Sequence, residues 1–108
     1  MKEWIAERKL TYTRKGESNK SELTIRIGKP YLLKEGEVNF PAHEGAAGCS
    51  VEFNGLEDGY YNDEVYGADS IQALQLATNI EPTLVHLSEK YDFYFLTGEP
   101  YFEDEENT

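Results

Sequence analysis

From Asp69 to Tyr91 the apolar residues recur at alternating steps of four and three: Ala73, Ala77, Ile80, Leu84, Leu87 and Tyr91. That spacing draws one stripe along a helix of roughly 30 Å, at about 1.5 Å per residue. Gln75, Thr78, Pro82, His86 and Glu89 take the opposite face. Asp69 with Gln72 three residues later is the pattern of an N-terminal capping box, in which each side chain satisfies an amide the helix leaves free. Pro82 lies inside the stripe, yet the stripe keeps its phase across it, so the pattern predicts a bend in one long helix rather than its end.

Elsewhere the period is two. Trp4, Ala6, Leu10 and Tyr12 share one parity and Glu7, Lys9, Thr11 and Thr13 the other, so residues 3–14 read as a half-buried strand whose apolar face is interrupted by Arg8. Lys15 to Asn19 is a polar turn, and Leu23, Ile25 and Ile27 then alternate with Glu22, Thr24 and Arg26 in a second strand, hairpin-paired with the first. Gly28-Lys29-Pro30 stops it, because proline brings no amide to a ladder. Tyr31 to Gly48 is irregular, a loop with room for one short strand. Cys49, Val51 and Phe53 alternate with Ser50, Glu52 and Asn54. Asn54-Gly55 and Asp58-Gly59 compete for the turn that follows. Tyr60 to Tyr66 reads as a tyrosine-rich, acidic strand before Gly67 leads into the helix. Phe93 and Phe95, alternating with Asp92 and Tyr94, form a last strand that ends at Gly98-Glu99-Pro100.

Strands, a long helix and a final strand predict an α+β fold: a mostly antiparallel β-sheet of about five to six strands, with one long bent helix packed on one face. The expected organisation is one α+β domain over residues 1–102 and an acidic tail over 103–108, disordered in isolation because its charges are of one sign. With 39% hydrophobic and 13% aromatic residues in a chain of 108, there is enough apolar material for one core without staples. No apolar run reaches the length of a membrane span or forms a signal-peptide core, and the single cysteine gives no internal disulfide, so a reduced cytoplasmic setting is expected.

Charge changes the picture most. The net charge is −11, and it is unevenly spread: residues 1–34 hold nine basic and four acidic residues, whereas residues 35–108 hold one base, Lys90, against 17 acids. A chain of this sign repels nucleic acid and anionic lipid, and steers toward a basic protein. A charge that serves only solubility is the plain alternative.

Chemistry is sparse. Cys49, with His43 and Glu44 near it in sequence, suggests a nucleophile and a base, but its parity with Val51 and Phe53 makes it a core residue. The acidic run Asn54 to Glu64 fails as a calcium loop, since Leu56 and Val65 stand at ligand positions. Neither His43 nor His86 has a companion at metal spacing, and His86 belongs to the outer helix face. No cofactor, no metal and no enzymatic activity are expected. Glu57, Asp58, Asp63 and Glu64 surround Tyr60 and Tyr61, and tyrosine among acids suits an interface for Lys or Arg. The same residues also suit a protected edge strand.

The segment Val65-Tyr66-Gly67-Ala68-Asp69-Ser70-Ile71-Gln72-Ala73-Leu74 resembles a family of small bacterial proteins without assigned function, and Trp4-Ile5-Ala6-Glu7-Arg8, Ile27-Gly28-Lys29-Pro30 and Gly98-Glu99 resemble other landmarks of it. That resemblance implies a fold and no catalytic residues. In size and acidity the chain is also similar to immunity proteins of contact-dependent inhibition systems, which neutralise basic nuclease toxins. The function expected is therefore a non-enzymatic binding protein, an immunity protein whose basic partner meets Glu57, Asp58, Tyr60, Tyr61, Asp63 and Glu64. A housekeeping domain with no toxin partner and a small enzyme of unrecognised type are the alternatives.

Overall fold

The computed structural model describes residues 3–34 and 44–102. His43 and the 103–108 tail lie outside the described residues. Among the described residues there are six strands: β1 (Trp4–Arg14), β2 (Ser21–Gly28), β3 (Tyr31–Leu32), β4 (Ala47–Asn54), β5 (Asp63–Gly67) and β6 (Tyr91–Tyr94). Every pairing among them is antiparallel. β2 and β3 lie along the same edge of β4. Ile27 faces Val51 and Tyr31 faces Gly48, so the β2–β3 line gains one residue on its partner at Lys29-Pro30. This is a bulge at the point where a missing proline amide would break the ladder. The sheet therefore runs β5, β4, β2 with β3, β1, β6, and the fold is α+β.

The helical layer connects β5 at one edge to β6 at the other. Its stripe is as the pattern predicts: Ala73, Ala77, Ile80, Leu84, Leu87 and Tyr91 are all buried. They pack on Leu10, Leu23, Ile25, Ile27, Cys49, Val51 and Phe53 of the sheet. The helix has two segments, α1 (Ser70–Thr78) and α2 (Glu81–Leu87), with the ladder interrupted at Asn79 and Ile80. Pro82 falls in the first turn of α2, where a missing amide costs nothing, and its ring would otherwise press on the carbonyl of Thr78 four residues back. The regular helix ends at Leu87, and Tyr91 already belongs to β6. At the start, Asp69 accepts from the Gln72 amide at 2.8 Å, but the Gln72 side chain accepts from Ala68 at 2.6 Å, one residue before the cap.

Four sequence expectations need correction. Trp4 does not share a face with Ala6. Trp4 pairs with Gly28 and Ala6 with Ile27, so Ile5 is an extra residue in β1 and carries Trp4 to the face away from the helix. The strand expected from Tyr60 begins only at Asp63, because Leu56 is fully buried and draws the preceding segment into a 3₁₀ turn, Glu57–Gly59. Neither competing dipeptide makes a two-residue hairpin. Gly55, Glu57, Asp58 and Gly59 all have positive φ, and at Gly55 a Cβ would run into the Glu22 carbonyl oxygen. Phe95 lies beyond β6 and is exposed. There the chain turns back so that Tyr101 donates its amide to Phe93 at 2.9 Å.

Candidate functional site

The six residues singled out in the sequence fall into two groups that face different surroundings. Glu57, Asp58, Tyr60 and Tyr61 lie on the connection from β4 to β5, which is pinned to the end of the sheet from several sides. Leu56 inserts into the core, the Tyr12 hydroxyl donates to the Gly55 carbonyl at 2.7 Å, and the Asn62 side chain accepts from the Phe53 amide at 2.7 Å. Tyr61 packs against the core and meets Tyr60 edge-on, with ring centroids 4.9 Å apart. Tyr60 itself is 78% exposed. The result is a large aromatic surface presented from a fixed base, with the exposed Asp58 beside it in sequence.

Glu57, exposed as it is, also has partners within the protein. Its carboxylate accepts from the Tyr91 hydroxyl at 2.9 Å and stands 3.9 Å from Lys90. Burial, and then this carboxylate, push the Tyr91 hydroxyl above its ordinary pKa.

Asp63 and Glu64 are on β5, and Glu64 turns to the sheet face that the helix does not cover. It too is engaged: Tyr31 donates to one oxygen at 2.6 Å and Ser50 donates to the other. Partial burial, then the hydrogen bond and charge of Glu64, raise the Tyr31 hydroxyl above its ordinary pKa, so Tyr31 stays protonated. Asp63 is exposed, and its side chain accepts from the Glu64 amide at 2.9 Å. Of the six, Glu57, Asp58, Tyr60 and Asp63 are exposed and Tyr61 is a support, while Glu57 and Glu64 act as acceptors within the protein.

What the sequence did not reveal is the open sheet face itself. Trp4, Gly28, Ser50 and Glu64 form one cross-strand row, and Arg26, flanked by Glu7 at 3.6 Å and Glu52 at 3.9 Å, forms the next. Two hollows of about 470 Å³ and 500 Å³ meet at Ser50 and Glu64. The parity of Ser50 and Glu52 could have indicated this face, but the Ile5 bulge hides Trp4 from any such reading.

The other chemical candidates are quiet. Cys49 is fully buried and donates its thiol to the Gly28 carbonyl at 3.1 Å; burial first and Glu64 second raise its pKa, which disfavours the thiolate. Glu44 and His86 are exposed. Among the described residues there is no cluster of His, Cys, Asp or Glu able to hold a metal, and no helix long and apolar enough to cross a membrane.

One family model spans most of the described fold. The model of that family, Domain of unknown function (DUF6968), matches residues 6–93, and the chain belongs to it. No curated protein matches the chain, and no solved structure does.

Proposed function

We propose that the protein is a non-enzymatic binding module of the immunity-protein kind, which engages a basic toxin domain through the β4–β5 connection. The observation that carries this reading is Tyr60: a tyrosine 78% exposed, yet braced by Tyr61 and by a loop fastened to the core. Burying such a side chain in a complex gains apolar area with little conformational entropy to lose, which is what makes tyrosine an anchor. Asp58 and Asp63, exposed near it in sequence, supply the charge that a Lys- or Arg-rich surface would meet, and the net charge of −11 supplies long-range steering. A thiol held in the core and two glutamates occupied by tyrosine hydroxyls favour binding over catalysis for these groups.

The test is to recover the partner with tagged protein and measure its binding by surface plasmon resonance. Raising the ionic strength from about 0.01 M to 0.15 M shortens the screening length from roughly 30 Å to 8 Å, so association should slow. Reversing Asp58 and Asp63 to Lys should slow it further, whereas Tyr60→Ala should mainly speed dissociation. An acidic partner, or an association rate indifferent to salt and to the reversals, would leave the reading without support and favour a housekeeping role.

A further inference from the structure

We infer that Asn54 is a modification site: in the folded protein its side-chain amide is lost to water, leaving aspartate and isoaspartate at the root of the β4–β5 connection. Asparagine is chemically labile where the following backbone nitrogen can reach its side-chain carbonyl, and a following glycine, lacking Cβ, opens that approach. Two dipeptides of this connection have the required form, Asn54-Gly55 and Asp58-Gly59. The fold treats them differently.

The nucleophile in each is the glycine amide. Gly59 donates its amide to the Leu56 carbonyl at 3.2 Å within the 3₁₀ turn, so attack on Asp58 would first have to open that turn. Gly55 donates its amide to no group among the described residues. Strand alternation explains this. Phe53 sends its amide away from β2, to the Asn62 side chain at 2.7 Å, and the Gly55 amide points the same way, beyond the last ladder pair, Thr24 with Asn54. The Asn54 side chain is exposed and has no hydrogen-bond partner among the described residues, so nothing holds its carboxamide away from that nitrogen. A hollow of about 550 Å³ is lined by both residues and lets water reach the reacting atoms.

The step balances with water alone. The Gly55 nitrogen bonds to the Asn54 side-chain carbon, the carbon–nitrogen bond of the carboxamide breaks, and ammonia leaves with the proton that the Gly55 amide gave up. Water then opens the cyclic imide. Opening at the side-chain carbon gives aspartate. Opening at the main-chain carbon gives isoaspartate, whose backbone runs through the side chain and is one carbon longer. Both products add a negative charge, and the second also displaces Gly55. The Gly55 carbonyl accepts from the Tyr12 hydroxyl at 2.7 Å, and the residue fits against the Glu22 carbonyl only for want of a Cβ. Isoaspartate should therefore loosen the loop from the sheet, whatever the loop binds, and the inference does not rest on the function proposed above.

The full chain is incubated, native and in urea, at neutral and at mildly alkaline pH, then digested in acid. Mass spectrometry with electron-transfer fragmentation locates the mass gain of amide turned to acid and tells aspartate from isoaspartate. In the native protein the Asn54 peptide should gain that mass and contain isoaspartate. Its rate should rise in proportion to hydroxide, because the attacking amide must lose its proton. Asp58 should isomerise in urea and stay intact in the native protein. Asn54→Thr, a replacement that suits a strand, should abolish the mass gain in this peptide. Leu84→Ala, which weakens the whole fold, should leave the native rate at Asn54 unchanged, since only a local motion is needed. Conversion of Asn54 in urea but not in the native protein would overturn the inference, and it decides the matter even if Leu84→Ala fails to fold. So would acceleration by Leu84→Ala, which would assign the reaction to the unfolded chain, or native isomerisation of Asp58 as fast as the change at Asn54.

Discussion

Leu84 and Pro82 are two residues apart and differ in what they touch. Leu84 is fully buried at the centre of the stripe, whereas Pro82 is exposed in the first turn of α2. Leu84→Ala removes apolar contacts and leaves a cavity, so it should cost about 2–5 kcal/mol. Pro82→Ala should cost far less, because the amide it restores falls where a helix has no acceptor for it. Urea denaturation of the two variants gives both numbers, and equal losses would mean that the stripe does not face the sheet. Tyrosines are the residues whose roles were least legible. The chain has eight of them among 21 acids, and an interface was the natural reading. Several of these acids are instead acceptors for tyrosine hydroxyls: Glu64 for Tyr31, Glu57 for Tyr91 and Glu81 for Tyr101. The partners stand 33, 34 and 20 residues apart, too far for any local pattern to pair them.

At the scale of elements, period and parity foretold what repeats, and single-residue irregularities escaped. The helical stripe was visible because Ala73 to Leu87 never lose phase, even though the ladder breaks at Asn79 and Ile80. Leu23, Ile25 and Ile27 kept strict alternation, and β2 is where they place it. The Ile5 bulge left no compositional trace, since an extra residue in a strand looks like any other until the partner strand is known. Tyr60 and Tyr61 have high strand propensity, but the buried Leu56 had already committed the chain to a turn, and tertiary burial outweighs propensity. The Asp69 cap was readable from spacing alone, and it allows a prediction at this scale. Asp69→Ala should destabilise by about 1 kcal/mol, because the Gln72 amide loses its acceptor. Asp69→Asn should recover most of that loss in the same denaturation experiment.

Over the whole molecule, the charge asymmetry of the sequence is partly cancelled by the sheet order. β2 lies beside β4, and Arg8, Lys15 and Arg26 of the basic half meet Glu81, Asp92 and Glu52 of the acidic half. These pairs are largely exposed and individually weak. The tyrosine–glutamate pairs have a clearer global consequence. Burial, with a glutamate second, raises the pKa of Tyr31, Tyr91 and Tyr101 in the fold, Arg8 opposing the rise at Tyr101. Their stabilising effect is fully present below the unfolded tyrosine pKa of about 10. Above it the unfolded chain releases protons that the folded chain retains, so stability should fall as pH rises. Denaturation midpoints at about pH 9 and about pH 11 should show the decline, and Tyr91→Phe should make it shallower; an unchanged midpoint would contradict the pairing. The position of β6 has a further consequence, for the chain as it is synthesised. β1 leaves the ribosome before the other described strands, yet its outer neighbour, paired from Thr11–Tyr94 to Arg14–Tyr91, is the last of them to be made. Until then Leu10 and Tyr12 sit on an open edge, and the helix that will cross the sheet has nothing to hold its far end. A nascent chain arrested after Glu89 should therefore be cleaved readily by added protease, and one arrested with Phe102 clear of the exit tunnel should resist it.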